Sequence, residues 1–125
     1  MTPPLIYTEK SLSEYMHWQL QNLASILGLS VGAADAGSYA EAVNAALLAY
    51  GVSAISQASD IAKIRALARV EVWRMACNSL AALYDFSADG GSYQRGQMLA
   101  QAKKNLETAL TDALGYDPAY RVGPG

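Results

Sequence analysis

Between Asp60 and Tyr84 the chain reads DIAKIRALARVEVWRMACNSLAALY, 25 residues without proline or glycine whose apolar positions recur at helical intervals. The spacing predicts one helix about 37 Å long. Advancing about 100° per residue, Asp60, Lys63, Glu71, Arg74 and Asn78 fall on one side, and Arg65 and Arg69 on roughly the opposite side. Two apolar strips lie between them. One gathers Ile61, Ile64, Ala68, Val72 and Met75; the other gathers Ala62, Ala66, Val70, Trp73, Cys77 and Leu80. A surface helix needs a single apolar stripe, so the second one predicts a second packing partner, either another helix of the domain or a neighbouring copy. The expectation drawn from it is a rod covered on one flank by its own chain and on the other by a sibling.

The flanking segments supply the other helices. Ser11 with Glu14 has capping-box spacing, and Leu12, Tyr15, Met16, Leu20, Leu23 and Leu27 follow at helical intervals, so a first helix is expected from Ser11 to a stop at Gly28. Ahead of it, Pro3 and Pro4 make residues 1–10 read as an extended lead-in. The small, glycine-rich run GLSVGAADAG at 28–37 reads as a loop. A second Ser-x-x-Glu pair, Ser38 and Glu41, opens a shorter helix with Ala42, Val43, Ala46, Leu47 and Tyr50 inward and Gly51 as its end. Ile55 in the following linker should point inward. Ser59 is the expected cap of the long helix, with Asp60 behind it at the positive end of the helix dipole. Beyond Tyr84 the run DFSADGGS turns. A last helix then runs from about Ser92 to Leu114, burying Met98, Leu99, Ala102, Leu106, Ala109, Leu110, Ala113 and Leu114, with Gly115 in the capping position. The tail YDPAYRVGPG has no periodicity and reads as an irregular arm. The fold class expected is therefore all-α: a four-helix protomer over 11–114 with a long central third helix, an N-terminal extended segment 1–10 and a C-terminal arm 115–125. Short loops imply antiparallel neighbours.

Composition adds a hint of assembly. Apolar residues make up 52% of the 125 and charged residues only 16%, below the roughly 25% usual in soluble domains, so part of the surface is expected to be hidden in an assembly. A net charge of −2 argues against an extended nucleic-acid-binding face, which would concentrate Lys and Arg. MTPPLIYTEK lacks the basic start and apolar run of a signal peptide, and no stretch approaches the ~20 apolar residues of a membrane span, so a soluble protein made without export is expected. Cys77 is the only cysteine, which leaves no intrachain disulfide and no cysteine-based zinc site; a small buried apolar role in a reducing cytosol fits it.

Enzyme chemistry finds little purchase. His17 is the sole histidine, so paired His ligands cannot form, and neither a P-loop nor a GxGxxG is present. No enzyme activity, metal or cofactor is expected. Asp85 and Asp89 flank a turn with a faint likeness to a calcium loop, but Phe86, Ala88 and Gly91 break its ligand pattern, and turn-capping aspartates are the reading preferred. Arg65 and Arg69, one turn apart, could contact a phosphate or DNA. In an acidic chain the favoured reading is that they answer acidic groups on an adjacent helix or subunit. Tyr7, Tyr116 and Tyr120 lie in or beside the terminal arms, and tyrosine is enriched at interfaces.

Two runs also carry a family resemblance. LLAYGVSAISQASDIAKIRALARVEVWRMA (47–76) and YDFSADGGSYQRGQM (84–98) resemble the head-tail connector proteins of tailed bacteriophages and prophages, also called adaptor or head-completion proteins; the likeness covers roughly residues 38–114 and includes no catalytic signature. It implies a helical protomer assembling on itself, typically as a twelve-fold ring, against the lower face of the portal protein. Such a ring extends the DNA channel, lets genomic DNA pass without specific binding, and joins the next neck or tail component, a stopper or tail terminator. The location implied is the virion neck, after synthesis in the host bacterial cytoplasm. Candidate subunit or portal contacts are Arg65, Arg69, Trp73, Tyr116, Tyr120 and Arg121. The arm is expected to reach the portal or a neighbour, so deleting 116–125 should weaken portal attachment more than protomer folding. A soluble phage assembly chaperone for tail or packaging, and a small helical DNA-binding regulator, are the competing readings. Absence from mature virions would mark the first, and duplex binding at moderate salt the second.

Overall fold

The computed structural model describes residues 8–32, 37–86 and 92–116, and among them every regular element is helical. The elements are α1 (Glu9–Leu20), α2 (Asn22–Ile26), α3 (Ala40–Tyr50), α4 (Ile61–Phe86) and α5 (Ser92–Leu114), with short 3-10 turns at Gly37–Tyr39 and Ile55–Gln57. The class is all-α, as the periodicity predicts. Residues 1–7, 33–36, 87–91 and 117–125 lie outside the described residues, and with them most of the readings of extended arms, part of the expected glycine-rich loop and the reading of Asp89.

The first helix differs from expectation at both ends. Its cap is Thr8, whose Oγ1 accepts from the Ser11 N–H at 3.2 Å while the Ser11 Oγ accepts from the Thr8 N–H at 2.7 Å. Ser11 is thus the third residue of the helix and not its cap, and Glu9 and Lys10 are helical rather than extended. Starting earlier lets Glu9 reach across to the Ile55 N–H, 3.2 Å away, and fasten the linker ahead of α4. At Gln21 the backbone turns to φ 53°, ψ −130°, splitting the expected single helix into α1 and α2.

The remaining boundaries hold apart from two exchanges of cap and the end of α4, which runs on through Asp85 and Phe86 where the turn was expected to begin. Gly28 and Gly51 take left-handed φ of 70° and 97°, and each end is closed by paired backbone bonds, Leu29 N–H to Ala24 O with Gly28 N–H to Ser25 O, and Val52 N–H to Leu47 O with Gly51 N–H to Leu48 O. Ser38 does not cap α3; its Oγ accepts from the Ser30 N–H and ties the preceding loop. Asp60, not Ser59, caps α4, its Oδ1 accepting from the Lys63 N–H at 3.1 Å. Ile55 is buried as expected, but Leu114 is 39% exposed, on the outward side of a last turn whose Ala113 is fully buried.

Side-chain pairs give the relative directions. Arg69 meets Asp112 near the end of α5, whereas Cys77 lies near Lys103 earlier in it, so α4 and α5 run antiparallel. Tyr50 at the end of α3 accepts from the Asp60 N–H at 2.9 Å, and the Lys63 ammonium sits 4.9 Å over its ring, while Glu41 lies along Asn78, so α3 and α4 are antiparallel too. With His17 of α1 bonded to Tyr39 just before α3, the long helices alternate up, down, up, down.

The longest helix is the centre of that bundle. Ile64, Leu67, Ala68, Val70, Val72, Ala76 and Leu80 are fully buried and Trp73 is 8% exposed, all within one protomer. Both apolar strips are therefore covered by the chain itself, with Ala62 the one member left exposed: α1, α3 and α5 pack around α4. The expectation that a sibling copy covers one flank is overturned. Its physical error lay in treating α4 as a surface helix, when a helix packed by three neighbours needs apolar residues on most of its circumference. Burial of each large aliphatic contributes roughly 1.5–3 kcal/mol, so α4 holds the fold together. Buried Ala102, Ala109 and Ala113 let α5 lie close along it.

Candidate interface

The two arginines set apart by the helical wheel emerge on the α5 side of α4. They line a cleft of about 330 Å³ together with Ala62, Ala66, Asp112 and Tyr116. The structure thus brings together three of the residues singled out from sequence, Arg65, Arg69 and Tyr116, at the place where the first turns of α4 meet the end of α5.

The arginines are in different states. Arg69 Nη1 lies 2.6 Å from Asp112 Oδ2, and its Nε–H is directed at the Tyr15 hydroxyl at 3.4 Å. The reading that these arginines answer an acid on an adjacent helix is therefore met for Arg69. Asp112 was not named in advance, since nothing in the chain's spacing marks which acid of the last helix faces back. Arg65 has no such answer. Its Nε is shielded from solvent and has no hydrogen-bond partner among the described residues. Counting Arg65 and Arg69 against Asp112, the cleft carries one surplus positive charge.

Tyr116 closes the rim. Its N–H donates to Ala113 O at 2.9 Å in the turn that ends α5, and the residue is 44% exposed, so ring and hydroxyl are available. Gly115 joins the same turn through Asp112 O at 3.3 Å. Trp73 lies outside this cleft: it is a core residue that borders an apolar groove lined by Leu23, Ile26, Met98 and Ala102 and shares a separate small cleft with Arg69, Gln19 and Asn105. Tyr120 and Arg121 lie outside the described residues.

The opposite side of α4 carries a cleft of the other sign. Glu41, Glu71, Arg74 and Asn78 line about 390 Å³ between α3 and α4, with one surplus negative charge. Burial pushes the Glu71 carboxyl up in pKa against the pull of Arg74, 3.4 Å away.

The only histidine packs, as a lone histidine on a helix is expected to, though its partner was not named from the sequence. His17 Nδ1 lies 2.7 Å from the hydroxyl of Tyr39, with the rings edge to face. The imidazole therefore braces the start of α3, and burial lifts the Tyr39 phenol to a pKa of about 12. Among the described residues no three His, Cys, Asp or Glu side chains converge as a metal would require, and no helix is long and apolar enough to cross a membrane.

No family model, no curated protein and no solved structure matches this chain.

Proposed function

We propose that the protein is a structural component of a tailed-phage neck, a head-tail connector that assembles on itself below the portal protein, continues the DNA channel and receives the next neck or tail component. The reading draws its identity from the resemblance over 47–76 and 84–98. The first of these runs forms the α3–α4 corner, held by Tyr50 on Asp60 and Glu9 on Ile55.

The observation that carries the assembly is the pair of oppositely charged clefts on opposite sides of α4. A protomer with a cationic cleft on one side and an anionic one on the other suits head-to-tail contact, and head-to-tail contacts that close make rings. With the apolar strips enclosed, lateral contact falls to these charged surfaces and to the exposed Leu48, Ile26 and Tyr116. A weakly acidic subunit also avoids strong adhesion to passing DNA.

Mass spectrometry of purified particles, joined to imaging of their necks, tests the reading. The protein should be present in mature virions in a fixed multiple per portal, as density between portal and tail. A protein needed for particle production but missing from finished virions would instead be an assembly chaperone.

A further inference from the structure

We propose that the Arg65 cleft is a carboxylate-binding site, and that the group it takes is the side chain of an aspartate or glutamate on a partner protein. The inference names the chemistry of one contact in the neck assembly proposed above, yet rests on the cleft alone.

Three features of the cleft argue for it. Arg65 and Arg69 are one turn apart, but only Arg69 has its acid. A guanidinium edge whose Nε–H is withheld from water and given no acceptor is an unsatisfied donor, which is costly to keep. An acceptor that draws the fork outward gives Nε–H and one Nη–H an oxygen each, the bidentate arrangement that a planar carboxylate matches. Charge then decides between oxyanions. One carboxylate neutralises the surplus charge of the cleft, whereas a phosphate dianion would overshoot and crowd Asp112 with like charge. The walls agree, since Ala62 and Ala66 leave room beside the guanidinium and Tyr116 offers a hydroxyl donor at the rim.

The test is a nitrogen-15 NMR titration of the full chain with sodium acetate, N-acetyl-glutamate amide and inorganic phosphate, each against sodium chloride of equal ionic strength. The Arg65 Nε–H resonance should shift saturably with acetate, with a dissociation constant on the order of tens of millimolar, the range of one charge-assisted pair. Arg69 Nε–H, already held, should move much less. The capped glutamate should bind at least as well as acetate if a protein side chain is the natural occupant; refusal of it alone would overturn that source. Arg65→Lys, which keeps the charge and loses the fork, should weaken binding several-fold as read on the Ala62, Ala66 and Tyr116 amides, with folding checked by Trp73 fluorescence. Shifts equal to those in chloride, equal shifts at both arginines, tighter binding of phosphate than of acetate, or undiminished binding by Arg65→Lys would each overturn the site. None of these outcomes depends on the neck assignment, which stands or falls on particle composition.

Discussion

At the scale of single residues, the most consequential pair is Tyr39 with His17. Tyr39 is fully buried, and its hydroxyl is the one link between α1 and the turn that starts α3 to be made by an imidazole. Its phenol titrates near 12 in the fold against an ordinary value of about 10, so the folded state keeps the proton where the unfolded state gives it up. For a raised folded pKa the associated stability is fully present below the unfolded value and is lost as pH rises through the folded one. Stability should therefore fall between pH 10 and pH 12, by up to about 3 kcal/mol. Tyr39→Phe should cost about 1 kcal/mol at neutral pH, because it strands the His17 ring nitrogen, and should lack this part of the alkaline loss. Urea midpoints at about pH 9 and about pH 11.5 for both proteins check the claim. The same alkaline loss in the phenylalanine variant refutes it. By contrast, the Arg69 to Asp112 pair has side chains 32% and 48% exposed, so it positions the cleft and contributes at most about 1 kcal/mol.

At the scale of elements, the lesson concerns ends more than middles. The long runs 61–86 and 92–114 were legible because helical periodicity without proline is a signal summed over many residues. Caps are single-residue decisions, and there neighbouring polar residues compete: Thr8 displaced Ser11, and Asp60 displaced Ser59, each because the winner's oxygen sits at the right N–H once the packed face is set. The break at Gln21 had no signal at all, since glutamine is a helix former. Its φ of 53° with ψ of −130° is a conformation that glycine takes freely and a side chain resists. Gln21→Gly should accordingly stabilise the fold by about 1 kcal/mol, even with loss of the exposed bond from Gln21 Nε2 to Trp18 O. A lowered thermal midpoint would show that the side chain contributes more than the strain costs.

At the scale of the whole molecule, the sequence foretold the class and the order of the long helices but misread what surrounds the central one. Two apolar strips cannot say whether the second is covered from within or from without; that depends on where α1 packs, which no local pattern encodes. The site was half legible for a similar reason. Arg65 and Arg69 stand out on a helical wheel, but the groups that hold Arg69, Asp112 and Tyr15, come from 43 and 54 residues away along the chain. Because α4 is enclosed by its own chain, the isolated protomer should fold alone, with a urea midpoint independent of protein concentration over a hundredfold range. Leu67→Ala, which empties a fully buried position, should lower stability by about 2–5 kcal/mol. A midpoint that climbs with concentration would return part of the stability to contacts between copies.

The enclosure also turns the lone thiol into a clock. Cys77 is 9% exposed in the seam between α4 and α5, and burial raises its pKa against the nearby Lys103. A bulky maleimide can reach sulfur there only when the seam parts, so the pace of labelling counts those partings under native conditions. Reaction far slower than that of an unfolded thiol, quickening in urea well below the midpoint, would time how often the bundle yields its last helix; reaction at the unfolded rate would mean that the seam stands open.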